Sequence, residues 1–69
     1  MKKYHYFVSF HLKYDRYQST DNTEIIRDKI IDSMDDIRDM ERFIEEEHSH
    51  RIENAYIINY QLLKIEDSN

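Results

Sequence analysis

The side chains of this chain that could do chemistry are four histidines, His5, His11, His48 and His50, a serine at position 9 between the first two, and a set of scattered carboxylates. His48 and His50 stand two apart in a segment that reads as a loop, and no third ligand lies at a spacing that would complete a metal site. They are expected to be polar surface histidines, and no metal is expected. Ser9 and His11 fall on one face of a predicted strand, as a nucleophile and its base would. Neither an oxyanion-donating glycine turn nor an orienting carboxylate accompanies them. The chain contains no glycine at all, so it has no phosphate-cradling loop, and no cysteine, so it has neither a disulfide nor a thiolate site. The expectation is a non-enzymatic protein without a cofactor.

Ser9 and His11 belong to the stretch with the clearest pattern. In Tyr4 to Tyr14 the even positions Tyr4, Tyr6, Val8, Phe10, Leu12 and Tyr14 are apolar or aromatic, and the odd positions are polar apart from Phe7. A period of two marks a strand with one buried face. The following cluster Asp15 to Asn22 reads as a turn. After it, two architectures compete. Ile26, Ile30, Met34, Ile37, Met40 and Ile44 fall at helical spacing, which favours one long helix from about Thr23 to His48 and a βαβ order. Topology favours the other: an isolated two-stranded parallel sheet is hard to stabilise, whereas a hairpin over the first half lets a third strand pair antiparallel with the first. The expected fold is therefore α+β, ββαβ, a three-stranded antiparallel sheet in the order 2-1-3 packed on one helix, as a single domain over residues 1-69.

Local chemistry places the start of that helix. Ser33 with Asp36 three residues on resembles a capping box, and Asp35 and Asp36 put negative charge on the first turn, where the helix dipole favours it. Ile37, Met40 and Ile44, flanked by Met34 and Phe43, are the expected buried stripe. Asp35, Arg38, Asp39, Arg42 and Glu46 form the opposite, solvated face, where spacings of three and four allow ion pairs of roughly 0.2 to 0.5 kcal/mol each. Glu45 to Glu47 sit at the unfavourable end of the dipole, partly offset by His48, His50 and Arg51. Asn54 is the candidate left-handed residue of the return loop. Ala55 to Ile65 then reads as the third strand, with Tyr56, Ile58, Tyr60 and Leu62 turned to the core and a polar tail from Glu66.

At 69 residues one hydrophobic core is barely sufficient, and charged residues (36%) nearly equal hydrophobic ones (39%). A net charge of -5, from 10 basic and 15 acidic residues, argues against direct nucleic-acid binding, since phosphate needs a basic footprint. Polar interruptions after Lys2 and Lys3 spoil any signal-peptide core, and no apolar run is long enough to span a membrane. The chain is expected in the cytoplasm. The absence of Gly and Pro beside heavy use of Ile, Lys, Asn, Asp, Glu and Tyr points to an AT-rich genome.

One helix covers one face of a sheet. The other face is expected to carry His5, Phe7, Ser9, His11 and Lys13 from the first strand, Arg27 from the second, and Ile57, Asn59, Gln61 and Leu63 from the third. Phe7, Ile57 and Leu63 would make an apolar patch with a polar rim, of the type that marks contacts. These ten residues are the candidate binding surface, and pairing of open faces or sheet edges makes a homo-oligomer, a dimer first, the expected state.

The run FVSFHLKY, then NTEIIRDKIIDSMDDIRDMERFIEEE, then NAYIINYQLL resembles small accessory proteins of phages and prophages of AT-rich Firmicutes. There a strand is followed by a glycine-rich turn, a second strand, a serine-capped acidic helix and a closing hydrophobic strand. In this chain the turn, Gln18 to Asn22, lacks the glycines. The resemblance implies a setting: the cytoplasm of a bacterial host, and an anti-defence role. It suggests either an inhibitor of a host antiphage defence protein, anti-CRISPR-like, or an oligomeric sponge for a cyclic or ADP-ribose-type nucleotide signal held by stacking aromatics and basic residues such as Lys13, Arg16 and Arg27.

Overall fold

A computed structural model of the chain describes residues 1–48 and 52–67. It consists of β1 (Lys2–Tyr14), β2 (Gln18–Arg27), α1 (Met34–Glu47) and β3 (Ile52–Asp67). The strands form one antiparallel sheet in the order β2-β1-β3. This is the ββαβ fold that strand pairing demanded, and Thr23 to Arg27 are extended rather than helical.

The hairpin is tighter than the polar run after Tyr14 suggested. Asp15, Arg16 and Tyr17 connect the strands, closed by the Tyr14 N–H donating to the Tyr17 carbonyl at 2.8 Å and by the stacked rings of Tyr14 and Tyr17. Gln18 to Asn22 is therefore strand, and Lys13 faces Gln18 across the ladder. No described residue has a positive φ. That includes Asn54, which lies inside β3 rather than in a left-handed turn.

The alternation of β1 does what its pattern requires. Tyr6, Val8, Phe10 and Leu12 are buried and meet Ile25, Ile31, Met40, Ile44 and Ala55 in the core. Ser33 caps α1, accepting the Asp36 N–H at 3.4 Å. Of the expected helical stripe, Met40 and Ile44 are buried and Ile37 is half-buried, whereas Met34 and Phe43 remain exposed. His48 closes the helix, its N–H shared between the Ile44 and Glu45 carbonyls. His50 and Arg51 lie outside the described residues, as do Ser68 and Asn69.

Two polar side chains, Asp36 and Tyr6, enter this small core with partners. Asp36 is fully buried, accepting from Arg27 at 3.0 Å and from the Asp32 N–H at 3.1 Å, with Lys29 Nζ 2.7 Å away. Lys29 first, then the Asp32 N–H, hold its carboxyl well below the usual carboxylate range. The Tyr6 hydroxyl accepts the Ile31 N–H at 2.9 Å, tying the β2–α1 connection to β1.

Length then decides what stays uncovered. A 14-residue helix spans about 21 Å, and the molecule is 46 Å long. α1 begins beside Tyr6 and Arg27 and ends beside Phe10, whose ring lies 6.1 Å from that of His48. At the end of the sheet formed by Lys2 to Tyr4 and Leu62 to Asp67, Tyr4 packs against the core and Leu62 to Asp67 are exposed. Among the described residues no helix is long and apolar enough to cross a membrane.

Candidate functional site

β3 is an edge strand of 16 residues, and its relation to β1 departs from simple alternation. The pairing shifts between His5 and Tyr6, between Ser9 and Phe10 and between Lys13 and Tyr14, so Leu63, Ile58 and Glu53 are extra residues with no β1 partner. Each bulge moves the residues after it to the other face. Ile52, Ala55, Ile57, Tyr60, Leu62 and Ile65 stand opposite even residues of β1 and face the helix side. Asn54, Tyr56, Asn59, Gln61, Lys64 and Glu66 stand opposite odd residues and face away.

This overturns part of the expected binding surface. Ile57 is on the helix side, half-buried and packed against the core. Arg27 is also on that side, opposite Tyr4, because β2 pairs with β1 without a bulge. Its guanidinium is committed to Asp36, with Nε buried and unpartnered. Leu63 is half-exposed at a bulge and does not adjoin Phe7 in the ladder. The apolar patch of Phe7, Ile57 and Leu63 therefore does not exist as a unit. Tyr56, expected in the core, faces away from the helix, and Ile58, Tyr60 and Leu62 are exposed.

The remaining seven candidates do share the face opposite the helix, and it is a polar face. His5 is 6% exposed, its ring nitrogens 2.6 Å from Glu24 and 2.9 Å from Glu66. Glu24 and then Glu66 raise its pKa above 6.5, against burial and Lys64. Phe7 lies between Glu24 and Gln61, and Ser9 between Asn22 and Asn59. His11 is bonded to Gln18 at 3.0 Å, not to Ser9, and Lys13 is 3.8 Å from Glu53. No nucleophile and base converge here.

The exposed apolar side chains gather instead along the outer half of β3. Ile58, Tyr60, Leu62, Leu63 and Ile65 are each between 37% and 58% exposed. Where β3 approaches α1, a groove of about 380 Å3 is lined by Met34, Ile37 and the run Tyr56 to Tyr60, with Arg38 and Glu41 at its side. Arg38 is paired with Glu41, and Arg42 with Asp39.

The backbone edge itself is closed in one half and open in the other. The Glu45 carboxylate accepts the Ala55 N–H at 3.1 Å, and the Glu41 carboxylate accepts the Ile57 N–H at 2.9 Å. These two N–H groups point away from β1, so the helix supplies the hydrogen bonds that a neighbouring strand would make. Asn59 Oδ1 does the same for the Tyr60 N–H at 2.8 Å. Leu62 has the same orientation, two residues on with no bulge between. Among the described residues no side chain takes its N–H. The opposite edge, β2, is polar and has its own cap, Asp21 accepting the Asn22 N–H at 2.8 Å.

Glu41 is 7% exposed, and sequence reasoning missed the work it does with Glu45. The signal was present: Glu41 lies four residues from Ile37 and one from Met40, on the flank of the buried stripe, where an acid needs a partner.

No protein-family model matches the chain, and no match was found among curated proteins or among solved structures.

Proposed function

We propose that this chain is a non-enzymatic phage accessory protein that binds and blocks a protein of the host antiphage defence. The observation that carries the reading is the row of exposed apolar side chains on β3 beside the α1 groove. Patches of this type on small proteins mark protein contacts. The chain's charge of -5, with Asp35, Glu46 and Glu47 exposed on α1, suits a partner that rims an apolar contact with Lys and Arg. The nucleotide-sponge alternative draws less support, because Lys13 and Arg27, two of its basic residues, are already near carboxylates. A role as a DNA mimic, in which the carboxylates Asp35, Asp36, Asp39 and Glu45 to Glu47 would imitate phosphates, also draws less support, because Asp36, Asp39 and Glu45 have intramolecular partners.

The test is phage plating on bacterial strains that each carry one defined defence system, with the chain supplied from a plasmid. Restored plating on at least one strain is expected, with loss of rescue in Ile58→Asp and Met34→Asp variants that keep a native circular dichroism spectrum. No rescue across the panel, or full rescue by both variants, contradicts the reading. Release on heating of a small nucleotide from protein purified from infected cells would support the sponge instead.

A further inference from the structure

The open half of the β3 edge has a pattern of its own. We propose that it pairs antiparallel with the same segment of a second copy of this chain, about a two-fold axis between Leu63 and Lys64, to give a continuous six-stranded sheet. This inference needs no host protein: it takes Leu62 and Ile65 for the second copy and leaves Ile58 and the α1 groove to the proposed partner.

Three observations point to a second copy as the occupant. The first is where the caps stop. Ala55, Ile57 and Tyr60 have side-chain acceptors on their outward N–H groups, and from Leu62 to Asp67 no described side chain supplies one. An apolar edge with unpaired backbone groups is a template for another strand.

The second is self-complementarity of faces. An antiparallel pair places side chains of directly opposite residues on the same face of the sheet. Reversing β3 about the Leu63/Lys64 midpoint sets Leu62 opposite Ile65 and Tyr60 opposite Asp67, all four on the helix side, and Gln61 opposite Glu66, both on the other side. In a strand of unbroken alternation this reversal would put Leu62 and Ile65 on opposite faces. The bulge at Leu63 is what brings them to the same face. Leu62 and Ile65, 37% and 51% exposed in one chain, would cover each other twice across the axis.

The third is exclusion of the register that would use the whole length of β3. Reversal about Gln61 also matches faces, setting Ile57 opposite Ile65 and Ala55 opposite Asp67. It requires the Ala55 and Ile57 N–H groups, both tied to α1 by Glu45 and Glu41, whereas the proposed register needs only the Tyr60 N–H released from its own neighbour Asn59. The other edge, β2, offers a polar run with exposed residues from Thr20 to Glu24 and gives a second copy little apolar area to bury.

The experiment uses the full chain, which has no cysteine of its own. In the proposed register the two Lys64 Cα atoms lie roughly 6 Å apart, within disulfide reach, whereas two copies of residue 61 stand on the order of 17 Å apart along the strands. Lys64→Cys is therefore expected to form a disulfide-linked dimer under mild oxidation, and Gln61→Cys to remain without a cross-link. Leu62→Pro removes an outward N–H without removing a bond to β1, and it is expected to halve the mass seen by light scattering while leaving the circular dichroism spectrum unchanged. A wild type that is a monomer at high micromolar concentration overturns the proposal. So does a dimer that cross-links through residue 61 and not 64.

Discussion

The Glu41 carboxylate accepts the Ile57 N–H at 2.9 Å from the flank of the helix, across the outer edge of the sheet. Helix and edge strand are thereby joined by a hydrogen bond that a further strand would otherwise make. Glu45 repeats the arrangement one turn on, at Ala55. Glu41→Ala should cost about 1.5 to 3 kcal/mol in urea unfolding, the range for hydrogen bonds to a charged group. Glu41→Gln, which keeps an acceptor, should cost less. The double variant Glu41→Ala/Glu45→Ala should also aggregate at lower concentration, because it opens the closed half of the edge.

Tyr6→Phe tests how β1 holds the chain before the helix. Its hydroxyl accepts the buried Ile31 N–H, and the substitution leaves that donor without a partner. A loss of about 1 to 3 kcal/mol is expected in the same assay. No change in stability would mean that this connection is not anchored to Tyr6.

Stability should fall as pH rises through the range in which His5 titrates. Glu24 and Glu66 hold the His5 proton more tightly in the folded chain than in the unfolded one, where the value is near 6.5. The contribution is complete below the unfolded pKa and disappears as pH rises through the higher folded value. Urea midpoints measured from pH 5 to pH 9 should show this decline in the wild type and lose it in His5→Gln. NMR titration of the His5 ring should give a midpoint above 6.5.

Much of the fold was legible in the sequence because its signals were local. The period of two in Tyr4 to Tyr14 gave β1 both of its faces, and Ser33 with Asp36 gave the start of α1. Choosing a hairpin over a longer helix needed an argument about strand pairing, since Ile26, Ile30 and Met34 fit helical spacing while Ile26 and Ile30 in fact lie outside the helix, exposed. The candidate site was less legible, because β3 was read as unbroken alternation. Bulges at Glu53, Ile58 and Leu63 are set by the partner strand and leave no mark in composition. Each one turned the rest of the strand over, which is how Ile57 left the open face and Tyr56 joined it. Arg27 was misplaced for a related reason: its face follows from pairing with Tyr4, and its partner Asp36 comes from another element.

Salt should act oppositely on the two proposed associations. Each copy carries -5, and the two Lys64 side chains meet near the axis, so self-association should strengthen as ionic strength rises. Binding to a partner with a basic rim should weaken under the same change. Light scattering and titration calorimetry from 50 mM to 500 mM salt distinguish them. Parallel responses would show that one of the two surfaces has been assigned wrongly.

The division of the β3 edge into a half closed by side chains and a half left for a second copy is read most directly by amide hydrogen exchange, residue by residue, at two protein concentrations. Ala55 and Ile57 amides should be protected equally at both, since Glu45 and Glu41 hold them within one chain. The Leu62 amide should exchange quickly in dilute protein and slow markedly in concentrated protein. Unprotected Ala55 and Ile57 amides, or a Leu62 amide whose exchange ignores concentration, would contradict this account of the edge.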